Sequence, residues 1–177
     1  VSWAMDHHGK ETTGIWLAMN RLADSINIPI LAVVNGILLP LLSGKSNKPD
    51  EIKSILAPLF RQLAFWTVVG LAVLFFLYPS VLGLFFSNQF VSQNSWAGWQ
   101  LAGDFFKSNS YLLSGLSLAL GTTRFYFWLE ISSVILIVVL TLFLSSWLGE
   151  MGIFAAHGIR YGLFWLALTV RFRRYIL

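Results

Sequence analysis

Five apolar runs, at residues 14–42, 63–86, 96–121, 125–148 and 152–170, dominate the 177-residue sequence. Each is long enough to cross the hydrocarbon core of a bilayer as a helix, which takes about 20 residues. The fourth carries the stretch "VILIVVLTLFL". Hydrocarbon offers backbone N–H and C=O groups no water, so a spanning segment must be a helix or part of a closed barrel. These runs are unbroken rather than alternating, and too long for barrel strands, so they predict an all-α integral membrane protein with five transmembrane helices. Composition agrees: 56% of residues are hydrophobic and only 11% charged, with a mean hydropathy of +0.71. A soluble domain of this size carries far more charge. With no cysteine, disulfides and thiolate metal sites are excluded.

Basic residues alternate sharply between the connections. Lys45, Lys48, Lys53 and Arg61 flank the connection between the first two runs, Arg124 lies between the third and fourth, and Arg171, Arg173 and Arg174 follow the fifth. The other connections and the N-terminal segment carry only Lys10. The positive-inside rule makes the basic side cytoplasmic, so Val1 is expected outside and Leu177 inside. Trp16, Trp96, Trp99 and Trp147 then fall near the outer interface, as an aromatic belt does. Residues 43–58 are expected as a cytoplasmic loop with a short amphipathic helix near Asp50, Glu51 and Lys53. The first apolar run outlasts a signal peptide's core. An odd number of spans, an outer N-terminus and an opening on Val1 suit a C-terminal portion of a longer carrier.

Charges inside the spans are the informative anomaly. Arg21, Lys107 and Arg160 lie within them, as do Asp24, Asp104, Glu130 and His157. In the third span the Leu and Phe residues contribute roughly −0.3 to −0.6 kcal/mol each to insertion, about −4 in all. Asp104 and Lys107 cost on the order of +2.5 to +3.5 kcal/mol each, which cancels that gain. The span therefore needs neighbours, a wet cavity or pairing. Residues three apart share a helix face, so Asp104 is expected to meet Lys107, Arg21 to meet Asp24, and His157 to lie beside Arg160. Ser108, Asn109, Ser110 and Ser114 add a polar stripe; Asn20, Asn27 and Asn35 do the same on the first span, where Pro29 is a kink site. Gly158 and Gly162 form a G-x-x-x-G that permits close helix approach.

Intramembrane ionisable groups mark function by default, yet each has a plainer use. The acid–base pairs can simply hold helices together, Glu130 can be solvated or paired with Arg124, and His157 can be a core histidine. Catalytic motifs are lacking. "SGKS" at 43–46 has Leu39 where a P-loop needs its earlier glycine, and His7–His8 has no third ligand at helical spacing. No enzyme, metal, cofactor or nucleic-acid partner is expected.

The order of features resembles bacterial polysaccharide flippases. "TGIW" at 13–16 with Asp24 and "LLP" at 38–40, "SNQF" followed by "WQLAGDFFK" at 99–107, "RFYFWLE" at 124–130 and "GIFAAHG" before the terminal Arg cluster are similar to their spans eight to twelve. The likeness is to O-antigen translocases and flippases of the enterobacterial common antigen lipid intermediate, in the multidrug/oligosaccharidyl-lipid/polysaccharide exporter superfamily. Arg21 departs from that pattern. The resemblance implies the C-terminal part of a twelve-helix bundle in the bacterial inner membrane, like that of multidrug and toxin extruders. It implies transfer of undecaprenyl-pyrophosphate-linked oligosaccharide from the cytoplasmic to the periplasmic leaflet by alternating access, amid membrane lipids and beside a polysaccharide polymerase.

Chemistry suits that substrate. Arg grips pyrophosphate oxygens bidentately and Lys meets them as a point charge, so Arg21, Lys107 and Arg160 are candidate headgroup ligands. Asp24, Asp104 and Glu130 would balance charge or take up a coupling ion, with His157 accessory. A drug or cation antiporter of the same superfamily, and a non-transporting membrane scaffold, remain alternatives. The three basic residues should face one aqueous cavity in a flippase; one-to-one pairing between packed helices favours the scaffold.

Overall fold

Helix punctuation in the sequence sets the architecture. Pro49 opens a helix where its missing N–H costs nothing, and Asp50 and Glu51 complement the positive end of the helix dipole. Gly121 (φ +68°) closes the third apolar run: its N–H reaches the Leu118 carbonyl at 3.1 Å and the Thr122 N–H reaches Ser117 at 2.9 Å, a Schellman turn. Gly149 (φ +59°) makes the next reversal. The computed structural model describes residues 2–43, 45, 48–85 and 97–176. Their elements are α1 (Ser2–Val33), a π-helical turn (Val34–Leu38), α2 (Leu39–Ser43), α3 (Pro49–Phe85), α4 (Ala97–Ala119), α5 (Thr123–Leu148) and α6 (Met151–Ile176). Phe86, Trp96 and the 87–95 connection lie outside the described residues, as do the side chains of His7, His8 and Lys10.

Burial runs opposite to that of a soluble bundle. The most apolar helix, α5, turns Phe127, Val134, Ile135, Val138, Val139, Leu142 and Phe143 outward, each about half exposed or more. The polar α4 is enclosed instead, with Gln100, Asp104, Ser108, Asn109, Ser110, Ser114 and Ser117 all buried. A hydrocarbon solvent produces this inversion, because it drives polar rather than apolar surface inward. Trp16–Ser43, Pro49–Leu77, Thr123–Leu148 and Met151–Ile176 are long and apolar enough to cross a membrane, so the protein is an all-α, multi-pass membrane protein. The third expected span, α4, has the length at 23 residues but not the apolarity. It is held by its neighbours.

Two apolar clusters divide the bundle by height. One joins Leu42, Ile52, Leu56, Leu116, Phe172 and Tyr175, which brings together the end of α2, the start of α3, the α4–α5 turn and the end of α6. Lys45, Lys48, Lys53, Arg124, Arg171, Arg173 and Arg174 are gathered at that end, with Arg61 further along α3. The other cluster joins Met19, Leu71, Leu101, Ile153 and Phe154. A polar layer separates them.

Two local expectations change. The 43–58 loop is mostly helix, since α3 begins at Pro49 and runs without a break into the membrane span; Glu51 binds Lys48 at 2.7 Å and Lys45 at 3.2 Å across its start. The irregularity expected at Pro29 appears as the π turn at Val34–Leu38. There Val34 presses on Gly115 of α4 so closely that a Cβ at Gly115 would lie 2.5 Å from Val34 Cγ1.

Candidate functional site

Helical spacing assembles the polar layer. Asn20, Asp24 and Asn27 recur on one face of α1, Gln100, Asp104, Lys107 and Ser108 run down α4, and His157, Arg160 and Tyr161 come from α6. Lys107 Nζ donates to Asp24 Oδ1 at 2.6 Å; the Lys107 side chain is 12% exposed and that of Asp24 51%. Asn27 Nδ2 reaches the same carboxylate oxygen at 3.4 Å, and Ser108 Oγ donates to Asn27 Oδ1 at 2.7 Å.

A second group forms deeper, between α4 and α6. Gln100 Nε2 donates to Asn20 Oδ1 and to Asp104 Oδ2, both at 3.1 Å. That uses both amide hydrogens, so the 3.1 Å contact of His157 Nε2 with Asp104 Oδ1 is an N–H donated by the imidazole. The 3.4 Å approach of Gln100 to the same ring nitrogen is then a contact without a shared proton. Asp104 and His157 are 1% and 4% exposed. Gly103 makes this possible, because a Cβ there would lie 2.2 Å from His157 Cδ2.

Tyr161 links the two groups. Its ring centre lies 4.9 Å from that of His157, 5.7 Å from Lys107 Nζ and 4.5 Å from Arg160 Cζ. Both cations are close enough to feel the negative face of the ring. Arg160 Nε donates to Ser133 Oγ of α5 at 2.7 Å, which anchors the guanidinium by its inner nitrogen. Among the described residues the terminal nitrogens have no hydrogen-bond partner, and these are the pair that grip phosphate bidentately.

The structure therefore brings together Asp24, Asp104, Lys107, His157 and Arg160, but pairs them differently from the i,i+3 expectation. Asp104 meets His157 instead of Lys107, Lys107 crosses to Asp24, and His157 and Arg160 both lie against Tyr161. The reason is azimuth: Asp104 faces α6 while Lys107 faces α1, so each meets a partner on the helix packed against it. Arg21 sits on the outer face of α1, where among the described residues it makes neither the expected pair with Asp24 nor any other. Glu130 is half-buried on α5, with no ion pair to Arg124 or any other described residue. Gln100 and Tyr161 had no role in the sequence reading. The four-residue spacing of Gln100 and Asp104 was a usable signal for the first, whereas Tyr161 becomes visible only once α4 and α6 are packed. Among the described residues no group of three His, Asp or Glu is placed to hold a metal ion.

Comparison with known proteins supports the resemblance read from the sequence. The chain is 28% identical over 151 residues to the Lipid III flippase of Escherichia coli (strain K12), and equally to the Lipid III flippase of Shigella flexneri. Each match takes in 85% of this chain and 36% of the relative, so the chain spans little more than a third of the length of these curated proteins. No family model matches, and neither does any solved structure. The likeness is to lipid-linked oligosaccharide flippases, transporters rather than enzymes.

Proposed function

We propose that the protein moves undecaprenyl-pyrophosphate-linked oligosaccharide, an O-antigen or common-antigen repeat unit, from the cytoplasmic to the periplasmic leaflet of the bacterial inner membrane by alternating access. The basic end of the bundle faces the cytoplasm, and a polymerase receives the product. The observation that carries this reading is the half-open layer around Tyr161. Lys107 is held there by a carboxylate that is 51% exposed, and among the described residues Arg160 is hydrogen-bonded through Nε alone. An incoming pyrophosphate can displace Asp24 from Lys107 and take the outer nitrogens of Arg160; Asp24 then recovers Lys107 when the headgroup leaves. Asp104 and His157, buried beside this layer, are the groups through which a proton would couple to it. Arg21 and Glu130, which form no ion pair among the described residues in this conformation, take part only if another state of the cycle brings them in.

Complementation of a flippase-deficient strain tests the assignment. Lys107→Ala and Arg160→Ala should each abolish surface polymer at normal protein levels, while Lys107→Arg retains much of it. Normal polymer display with both alanine variants would sink the site.

The scaffold reading has its own support, since Lys107–Asp24 and His157–Asp104 pair one-to-one between packed helices. A charge swap separates the two. If the pair is only structural, Asp24→Lys with Lys107→Asp restores function; if Lys107 meets the headgroup, the swap leaves a stable but inactive protein.

A further inference from the structure

A polar hollow lies apart from the charged layer, where α6 ends beside the start of α5. It has a volume of about 550 Å³ and is lined by Leu120, Thr122, Val170 and the arginines 171, 173 and 174, with Phe172 and Tyr175 beneath. In a straight helix Arg171 and Arg174 share a face, while Arg173 points well away from Arg171. Here α6 breaks at Phe172 (φ −108°, ψ 15°), and all three arginines line one hollow. The break is held by burial: Phe172 and Tyr175 are each 2% exposed, and the Phe172 ring lies 6.4 Å from that of Phe125.

The hollow is strongly unbalanced in charge. Among the described residues no carboxylate pairs with Arg171, Arg173 or Arg174. Arg171 stacks over Phe125 at 5.7 Å, and Arg174 lies over Tyr175 and donates to its hydroxyl. The negative end of the α6 dipole offsets only about half a charge. The start of α5 adds to the excess, because Thr122 spends its hydroxyl on Ser117 and makes no side-chain cap to the helix.

An apolar track continues from this hollow. Leu163, Leu166 and Val170, about half exposed or more, follow one another along α6 to the rim. Leu163 and Leu166 also border a shallow apolar groove of about 310 Å³ floored by Gly158 and Gly162 against Trp99 and Phe106. A cationic hollow at the head of an apolar track matches an amphiphile with an anionic head.

We propose that this end of α5 and α6 is a binding site for an anionic phospholipid. Its phosphodiester lies among Arg171, Arg173, Arg174 and the first turn of α5, and an acyl chain lies along Leu163, Leu166 and Val170. The ligand chemistry is a phosphate oxyanion. The apolar track selects the lipid over free phosphate, and basic pockets beside membrane helices favour anionic headgroups. This site stands apart from the transport site and does not depend on the flippase reading.

The test is native mass spectrometry of the purified protein released from detergent containing phosphatidylglycerol, phosphatidylcholine or inorganic phosphate. The protein should retain phosphatidylglycerol roughly tenfold over phosphatidylcholine, given the attraction of each basic residue to anionic lipid. R171Q/R173Q/R174Q should lose the preference, whereas K45Q/K48Q/K53Q, which removes the same charge from the same end, should keep it. The exposed single change Arg173→Gln should weaken the preference without disturbing the fold, as checked by circular dichroism. Equal retention of the two lipids, equal loss in both triple variants, an unchanged preference in the arginine variants, or displacement of the lipid by equimolar inorganic phosphate would each overturn the proposal.

Discussion

At position 104 a single carboxylate accepts from both Gln100 and His157, and it is the only acid in the deepest part of the polar layer among the described residues. Asp104→Ala would leave two buried donors without partners, a loss of about 2 kcal/mol or more by the usual cost of an orphaned buried polar group. Asp104→Asn keeps one acceptor and should cost less. Thermal unfolding in detergent should therefore rank wild type above Asn above Ala; an Ala variant as stable as wild type would show that the network contributes nothing. The neighbouring glycine gives a sharper test. Gly103→Ala drives a methyl into His157 and should cost roughly 1–3 kcal/mol through overpacking. His157→Ala in the same chain should recover part of that loss, because the clash is with that ring. At this scale the sequence displayed which residues were charged but not whom they meet. Spacing along one helix constrains only neighbours on that helix, whereas the pairs at Asp24–Lys107 and Asp104–His157 depend on how three helices are rotated about their axes.

The helices α4 and α5 show how far an element can be read before its surroundings are known. Both were legible as long helices, α5 alone of the two is apolar enough to cross a membrane, and the two turns that bound α5 were set by Gly121 and Gly149. The start of α3 was not: "SNKPDEIK" has the polarity of a loop, and its helical start rests on Pro49, Asp50 and Glu51 acting together at the first turn. Nor does hydropathy reveal that α4, the less apolar helix, is the enclosed one while α5 is exposed; that order follows from pairing the polar residues of α4 with α1 and α6. An insertion assay on isolated segments separates the two helices. Residues 123–148 alone should insert almost completely. Residues 97–119 alone should insert poorly, and replacing Asp104 and Lys107 with Leu should reverse this, since each exchange is worth about 3 kcal/mol on the insertion scale. Efficient insertion of the unaltered α4 segment would show that its charges do not burden it and would remove the reason for its burial.

For the molecule as a whole, the distribution of basic residues and the exposed apolar belt make one joint statement about the bilayer. Seven of the eight basic residues assigned to one side by sequence meet at one end through the Leu42–Leu116–Tyr175 cluster, and Glu150 lies at the other, beside the Gly149 turn. Between them α5 presents Val138 and Val139 to the surroundings, 56% and 55% exposed. In water such side chains would be open to any reagent. In hydrocarbon they are closed to a charged one, because a charged group near the bilayer centre costs several kcal/mol. The chain contains no cysteine, so single cysteines can be read without a background. With a membrane-impermeant maleimide on intact spheroplasts, Glu150→Cys should label, while Arg124→Cys and Arg173→Cys should label only after the membrane is opened. Val139→Cys should resist the reagent in both conditions and react only in denaturant, despite its exposure in the folded chain. The reverse pattern for Glu150 and Arg173 would invert the orientation and leave the fold intact. Labelling of Val139 in spheroplasts would mean that α5 faces water, and the membrane explanation for its apolar surface would fail.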